Sequence, residues 1–348
     1  MIHFDWMKGA VAGAALLIST GLTVSGASAE TVLRMNNWLP PQHSQLVGTM
    51  KPWAEKVQEA SKGNIKIELT DASLGAPPRQ YDLAVDGIVD ITFGVTGYTP
   101  GRFKLVGAAE LPFVAQSGEA RSVALWKAHE QYFAKANEFK DVQLLGLYAH
   151  GAGRILTTAK AGPVKSLADY AGKKFRVGGG VIQDINTALG GVNVAVPANE
   201  VYEILSTGVA DGTLLPLEAY PSFNLGGVIK HATLIPGGFY SSVWFAVMNK
   251  EKFDSLSKED QDAIMSVSGM ELAKLGGQSF DAADEAAKAV VEKDGVEMIV
   301  ADEAFVSSMR EKLTAIDEKW IADADGLGVD GKAALELVRK EAAALDKQ

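Results

Sequence analysis

The chain contains no cysteine, so neither a disulfide framework nor a thiolate metal site can belong to its chemistry. Clustered positive charge is equally scarce. Its 33 lysines and arginines face 43 acidic residues, for a net charge of -10, and no basic patch interrupts the balance. Nucleic acid, which is held by such patches, is disfavoured as a partner. Beyond Val24 no apolar run approaches the about 20 residues needed to cross a bilayer. Catalytic signatures are also missing. There is no G-x-S-x-G elbow, and His129-Glu130 meets Phe133 where a zinc-binding H-E-x-x-H needs its second histidine. Gly178-Gly179-Gly180 is neither a dinucleotide fingerprint nor a P-loop. Asp323-Ala324-Asp325-Gly326 lacks the third acid that a calcium loop places before its glycine, and a solvated connection between helices accounts for it. No metal, cofactor or catalysed reaction is expected.

What is present begins with a leader. Lys8 precedes a small, apolar run over residues 9–24, and Ala27-Ser28-Ala29 makes an A-x-A cleavage signal before Glu30. The residues His3, Phe4, Asp5 and Trp6 are unusual ahead of such a run, and Met7-Lys8-Gly9 would make a better start. Residues 1–29 are therefore expected to be removed on export, leaving a protein in the periplasm; a retained membrane anchor is the alternative.

From residue 31 strands and helices alternate. Thr31-Val32-Leu33-Arg34-Met35 reads as a strand ending in Asn36-Asn37-Trp38. Residues 43–61 form an amphipathic helix with Leu46, Met50, Trp53, Val57 and Ala60 at helical spacing. Ile65 to Leu69 alternates as a strand, residues 79–86 are helical, and residues 89–93 are a strand entering Gly94-Val95-Thr96-Gly97-Tyr98. This order belongs to an α/β domain with a largely parallel sheet, whose ligands sit beyond the carboxyl ends of the strands. Asn37, Trp38, Thr96 and Tyr98 are thereby nominated as one lip of a cleft, although Asn37 would serve equally in a local Asx turn.

Residues 117–133 make another helix and residues 142–148 a strand. A second domain begins near Gly151, opened by a strand from Arg154 to Thr158. Val243-Trp244-Phe245-Ala246-Val247-Met248 is a continuous apolar run, as a buried strand shows, and returns the chain to the first domain. Ser257 and Asp260 form a capping box ahead of a helical pattern lasting to about Lys293, long enough to span both domains. Two further helices end the chain, the first striped by Phe305, Met309, Leu313, Ile316 and Trp320, the second over residues 332–345. The expected division is residues 30–150 with about 243–280 in domain I, and 151–242 with about 281–348 in domain II. Several crossings without a flexible linker describe a hinged clamp, with the ligand in the cleft between domains.

The most informative stretch is residues 163–212. Ser166 and Asp169 form a capping box, Gly172 stops that helix, and Lys174-Phe175-Arg176-Val177 is a short strand running into three glycines. Val181, Ile182, Ile185, Ala188 and Leu189 stripe the next helix. Arg176 thus lies at a strand end beside a helix N-terminus, whose free N–H groups favour an anion. Its planar fork matches a carboxylate in two parallel bonds. The plainer alternative is a surface arginine in a weak salt bridge.

This stretch resembles the solute-binding proteins of TRAP transporters, the DctP family. The similarity rests on the arginine at 176 and on Glu200-Val201-Tyr202 through Leu205 and Gly208 to Asp211-Gly212. It extends to the leader, to Asn36-Asn37-Trp38, to Glu110-Leu111-Pro112-Phe113 and to Met248-Asn249-Lys250-Glu251-Lys252-Phe253-Asp254-Ser255-Leu256. The resemblance implies a two-domain, periplasmic-binding-protein-like α/β clamp. Each domain would be a mixed, mostly parallel sheet flanked by helices, with a long helix spanning the two. It implies a receptor that captures a small organic acid and delivers it to the small and large membrane subunits of an ion-driven permease. In this reading Arg176 clamps the carboxylate and Arg154 adds a second bond; a structural partner for an acid at the hinge is the alternative for Arg154. A monomer is expected. A sensory binding protein and a periplasmic enzyme acting on small carboxylates are the competing classes.

One departure from the family pattern concerns the ligand. The family often places Asn-Pro after the Asp-Gly pair, whereas here Leu215 precedes Pro216, removing an amide that would hold a carboxylate or hydroxyl. Tyr220, Phe223, Phe239, Tyr240 and Trp244 follow, so the wall of the second domain reads as aromatic. Hydrophobic core is the plain role for such residues; Tyr220 and Tyr240 flank turns and are favoured for the pocket, with Phe239 beside them. A monocarboxylate, an aromatic one included, fits better than a sugar acid or C4 dicarboxylate.

Overall fold

The computed structural model describes residues 30–346; the leader, its cleavage point and the choice between Met1 and Met7 lie outside the described residues. The strands are β1 (Thr31–Met35), β2 (Ile65–Leu69), β3 (Ile91–Val95), β4 (Val142–Ala149), β5 (Arg154–Thr158), β6 (Lys174–Val177), β7 (Val192–Ala195), β8 (Gly212–Leu215), β9 (Ile229–Leu234), β10 (Val243–Asn249) and β11 (Glu297–Val300). They build two sheets, ordered β2-β1-β3-β10-β4 and β11-β9-β5-β8-β6-β7. In the first sheet only β10 runs against its neighbours, and in the second only β5 does. Each is laid down immediately after the chain crosses from one sheet to the other, whereas β11, after the third crossing, runs parallel to its neighbour. The two lobes of a clamp are thus tied together by strand insertion and need no linker. The middle position of β10, between β3 and β4, explains its sequence: all seven residues are buried, so an unbroken apolar run replaces alternation.

The helices depart from sequence expectation in one instructive place. The pattern from Ser257 to Lys293 is two helices, Lys258–Ser266 and Met270–Lys293. Between them Gly269 takes φ 59°, and a Cβ there would lie 2.9 Å from the Trp126 ring. Both the left-handed backbone and the close approach require glycine, while the apolar period on either side conceals the break. The Met270–Lys293 helix packs on β4 and on helix Gly118–Ala128 of the first lobe, and against Ala219–Ser222 of the second. Gly276 and Gly277 bring it against the Tyr148 ring and the Gly118-Glu119 backbone.

The closing helices serve both lobes. Helix Glu303–Asp325 packs on helix Val181–Ala188 of the second lobe, while the Trp320 indole donates to the Lys104 carbonyl at 3.0 Å. Helix Gly331–Leu345 lies on Gly118–Ala128. Just beyond it, the Asp346 carboxylate accepts from the Gln116 and Ser117 N–H groups, both at 2.8 Å. One apolar cluster runs across both lobes, through Leu105, Leu147, Phe175 and Ile182, and each lobe adds a core of its own. Leu33, Met35, Trp53 and Phe93 sit in the first, and Leu156, Val201, Leu205 and Ile229 in the second.

Candidate ligand-binding site

The lobes meet with their backbones in contact. A Cβ on Gly97 of the first lobe would lie 2.6 Å from the Gly179 carbonyl oxygen of the second, and one on Gly179 would lie 2.1 Å from the Gly97 oxygen. Only a pair of glycines allows this approach, and the arrangement is a closed one. Beneath the contact lies a cavity. Its walls are largely apolar, with Leu215, Phe223, Tyr240, Trp244 and Phe280 contributing.

Arg176, on β6, enters this cavity with its side chain 1% exposed. Its Nε donates to the Val196 carbonyl at 2.9 Å, and Nη2 lies 3.5 Å from the Tyr98 hydroxyl. That hydroxyl also accepts from the Ala198 N–H at 3.0 Å, so Tyr98 reaches across the cleft to the strand-end loop beside Arg176. Among the described residues no carboxylate pairs with this guanidinium. A buried cation with only neutral partners is costly; its remaining N–H donors are available to an anion.

The helix N-terminus beside Arg176 is already occupied, contrary to expectation. Glu110, from the first lobe, accepts from the Val181 N–H at 3.3 Å, from the Val243 N–H at 2.9 Å and from the Thr96 hydroxyl at 3.3 Å. Burial pushes its carboxyl up to about 7 against the effect of those bonds. The protein supplies its own carboxylate to the helix end, leaving the guanidinium as the anion site.

The nominated residues divide as follows. Arg176, Tyr98, Leu215 and Tyr240 line the cavity. Trp38 stands behind the lining: its indole donates to the Phe93 carbonyl at 2.9 Å, and its ring stacks on Trp244 at 5.6 Å. Thr96 is spent on Glu110 and the Val243 carbonyl. Asn37 closes an Asx turn, its Oδ1 accepting from the Leu39 N–H at 3.0 Å. Phe239 is fully buried, edge-on to Tyr240 at 5.3 Å. Tyr220 lies in the core of the second lobe and donates to Asp294 at 3.0 Å.

Arg154, on β5, pairs with Leu215 of β8 but lines a separate recess with Asp281, Asp284 and Lys288. Burial lowers its pKa while the charge of Asp284 opposes that shift. Its position is that of a hinge residue, because Asp281 and Asp284 belong to the helix shared by both lobes. Asp281 binds Ser117 and Gly118 of the first lobe, and Asp284 accepts from the Glu218 N–H of the second at 2.7 Å.

Four polar lining residues escaped the sequence reading: Glu218, His43, His150 and Ser242. Glu218 is 3% exposed, and its Oε2 accepts from Ser222 and, across the cleft, from Ser44, each at 2.8 Å; burial raises its carboxyl to about 6. His43 and His150 are both held neutral, burial pushing each down to about 3. His150 places its Nδ1 2.5 Å from the Gly151 carbonyl and accepts from the Ser242 N–H at Nε2, so both ring nitrogens are spent on backbone. The available signal for Glu218 was a lone acid in the otherwise apolar stretch Leu214-Leu215-Pro216-Leu217-Glu218-Ala219-Tyr220.

Two lobes closed over a buried, unpaired arginine in an apolar cavity define a ligand-trapping receptor. Over residues 35–323 the chain matches the family described as bacterial extracellular solute-binding protein, family 7 (DctP), and it belongs to that family. It is 42% identical to a TRAP periplasmic solute-binding protein of Bordetella bronchiseptica crystallised with (R)- and (S)-mandelate. The TM-score is 0.88, covering 91% of this chain and 100% of that one. A marine-metagenome TRAP solute-binding protein specific for aromatic acid ligands, in complex with 3-hydroxybenzoate, is 34% identical with a TM-score of 0.86, covering 92% and 100%. The outer membrane transporter protein TsaT of Comamonas testosteroni is 32% identical over 93% of this chain and 95% of its own. Among the described residues no helix is long and apolar enough to cross a membrane, and no group of His, Asp and Glu is arranged to hold a metal.

Proposed function

We propose that this protein is the exported receptor of a TRAP-type secondary transporter, that it captures a small aromatic monocarboxylate, and that it releases it unchanged. Arg176 carries the reading. Its buried guanidinium lacks an acidic partner among the described residues, and a ligand carboxylate supplies one in two charge-assisted bonds. The rest of the cavity favours a ring over a polyol: Leu215 stands where the family often has asparagine, and Phe223, Tyr240 and Trp244 supply flat apolar walls. The relatives crystallised with mandelate and 3-hydroxybenzoate point to the same class of acid. Binding without turnover is supported by His150, both of whose ring nitrogens are spent on backbone.

In this account Arg176 holds the carboxylate, Tyr98 orients the guanidinium, and Leu215 and Tyr240 form the walls. Trp38, Thr96 and Phe239 brace those walls, Asn37 and Tyr220 shape the lobes behind them, and Arg154 acts at the hinge. The two sheets mark the two domains. Cleavage after Ala29 would release a monomeric protein into the periplasm, where it docks on the small and large permease subunits. The test is a thermal-shift screen of the mature protein against aromatic monocarboxylates, sugar acids and C4 dicarboxylates, since a ligand that binds only the native state raises the melting temperature by mass action. Stabilisation by the aromatic acids is expected; stabilisation by sugar acids or dicarboxylates alone would overturn the assignment.

A further inference from the structure

We infer that Glu218 and His43 form a second polar end of the cavity, one that recognises a hydroxyl on the ring of the bound acid, so that the receptor selects hydroxylated aromatic monocarboxylates and rejects those bearing a second carboxylate. The inference rests on the aromatic-acid reading above and extends it to the substituent.

The two polar ends are built from different parts of the chain. Around Arg176 stand Val196, Ala198 and Tyr98. Around Glu218 stand Ser44, Ser222 and Asp284. The groups share no bonding partner, and the apolar rings lie among them. His43 immediately precedes Ser44, whose hydroxyl bonds Glu218, and its ring meets Phe223 edge-on at 5.1 Å. Both His43 and Glu218 line the cavity.

Their hydrogen-bonding capacities are complementary. The two serine hydroxyls occupy Oε2 of Glu218, and among the described residues Oε1 has no hydrogen bond. Burial raises the Glu218 carboxyl to about 6 against the two serine hydrogen bonds, which favour the carboxylate, and a carboxylate Oε1 accepts without donating. The Nδ1 of His43 accepts from the Gln45 N–H at 3.2 Å, so the neutral ring carries its proton on Nε2, a donor. An acceptor beside a donor matches a hydroxyl, which gives one hydrogen bond and takes another. A carboxylate at that end would meet the like charge of Glu218 in a buried site, so one of the two would have to take up a proton, which disfavours a second carboxylate on the ligand. An unsubstituted ring would leave both groups desolvated and unpaired, and a site built to bond a hydroxyl discriminates strongly against an analogue lacking it.

Calorimetry with benzoate, 3-hydroxybenzoate, 4-hydroxybenzoate and isophthalate, on wild type, Glu218→Met and Glu218→Gln, tests this. At least one hydroxybenzoate should bind wild type about tenfold or more tightly than benzoate, with isophthalate weaker than benzoate. Glu218→Met should bring the hydroxybenzoate-to-benzoate ratio towards one. Glu218→Gln, which keeps an oxygen for Ser44 and Ser222 and so protects the fold, should narrow that ratio and raise isophthalate relative to benzoate. Wild-type ratios near one for both hydroxybenzoates, or ratios unmoved in both variants, overturn the inference. If benzoate binding is nevertheless lost in Arg176→Ala, the receptor reading stands without it. Failure of all four acids to bind wild type overturns both.

Discussion

Closure is the step most directly exposed to perturbation, through Gly97. A methyl group there would lie 2.6 Å from the Gly179 carbonyl oxygen and 2.8 Å from its carbon, well inside ordinary contact. The opposing atoms are backbone and cannot rotate aside, so the lobes must part by most of an ångström locally. Overpacking of this kind costs about 1–3 kcal/mol, which corresponds to roughly five- to 150-fold in affinity if the ligand is held only by the closed form. The clash vanishes when the lobes separate, so the unliganded stability of Gly97→Ala should stay within about 0.5 kcal/mol of wild type. The assay pairs calorimetry, using an aromatic acid that stabilises wild type, with small-angle scattering. Wild type should contract on binding; Gly97→Ala should bind more weakly and contract less. Equal affinity together with an equal decrease in radius of gyration would contradict a backbone clash on closure.

Two further outcomes are expected. Burial pushes the Glu110 carboxyl from 4.5 up to about 7, so the folded chain keeps a proton that the unfolded chain has released across that window. Its contribution to stability must therefore fall as pH rises from 4.5 to 7. Glu110→Gln, which cannot ionise, should gain in melting temperature relative to wild type over that interval, and parallel curves would contradict the cause assigned to the shift. Periplasmic protein should begin at Glu30 by intact mass, and a mature form retaining residues 9–24 would overturn cleavage after Ala29.

Much of the framework was legible because it rests on local pattern. The alternation in Ile65–Leu69, the unbroken apolar run of Val243–Asn249 and the capping serines at 166 and 257 all act within a few residues. Arg176 was legible for a related reason: a charged side chain at the end of a buried strand needs a purpose. What stayed hidden depends on contacts distant in sequence. The break at Gly269 comes from Trp126, and the helix end beside Arg176 is capped by Glu110, 71 residues away. The Ser44–Glu218 bond spans 174 residues. Tyr220 and Tyr240 both flank turns and look equivalent in sequence, yet Asp294 engages the first while the second lines the cavity. Trp38 and Trp244 likewise differ only in which face of a stacked pair meets the cavity.

Calorimetry on Arg176 variants puts the carboxylate clamp to its sharpest test. Removing one partner of a desolvated, hydrogen-bonded charge pair costs about 2–5 kcal/mol, so Arg176→Ala should weaken binding of an aromatic monocarboxylate by roughly thirtyfold or more. Arg176→Lys keeps the charge but loses the fork and should fall between alanine and wild type. Arg154→Ala, altered in the recess beside Asp284, should cost less. Circular dichroism confirms folding, since the Nε of Arg176 also bonds the Val196 carbonyl. A folded Arg176→Ala protein that binds the acid as tightly as wild type would contradict the carboxylate clamp.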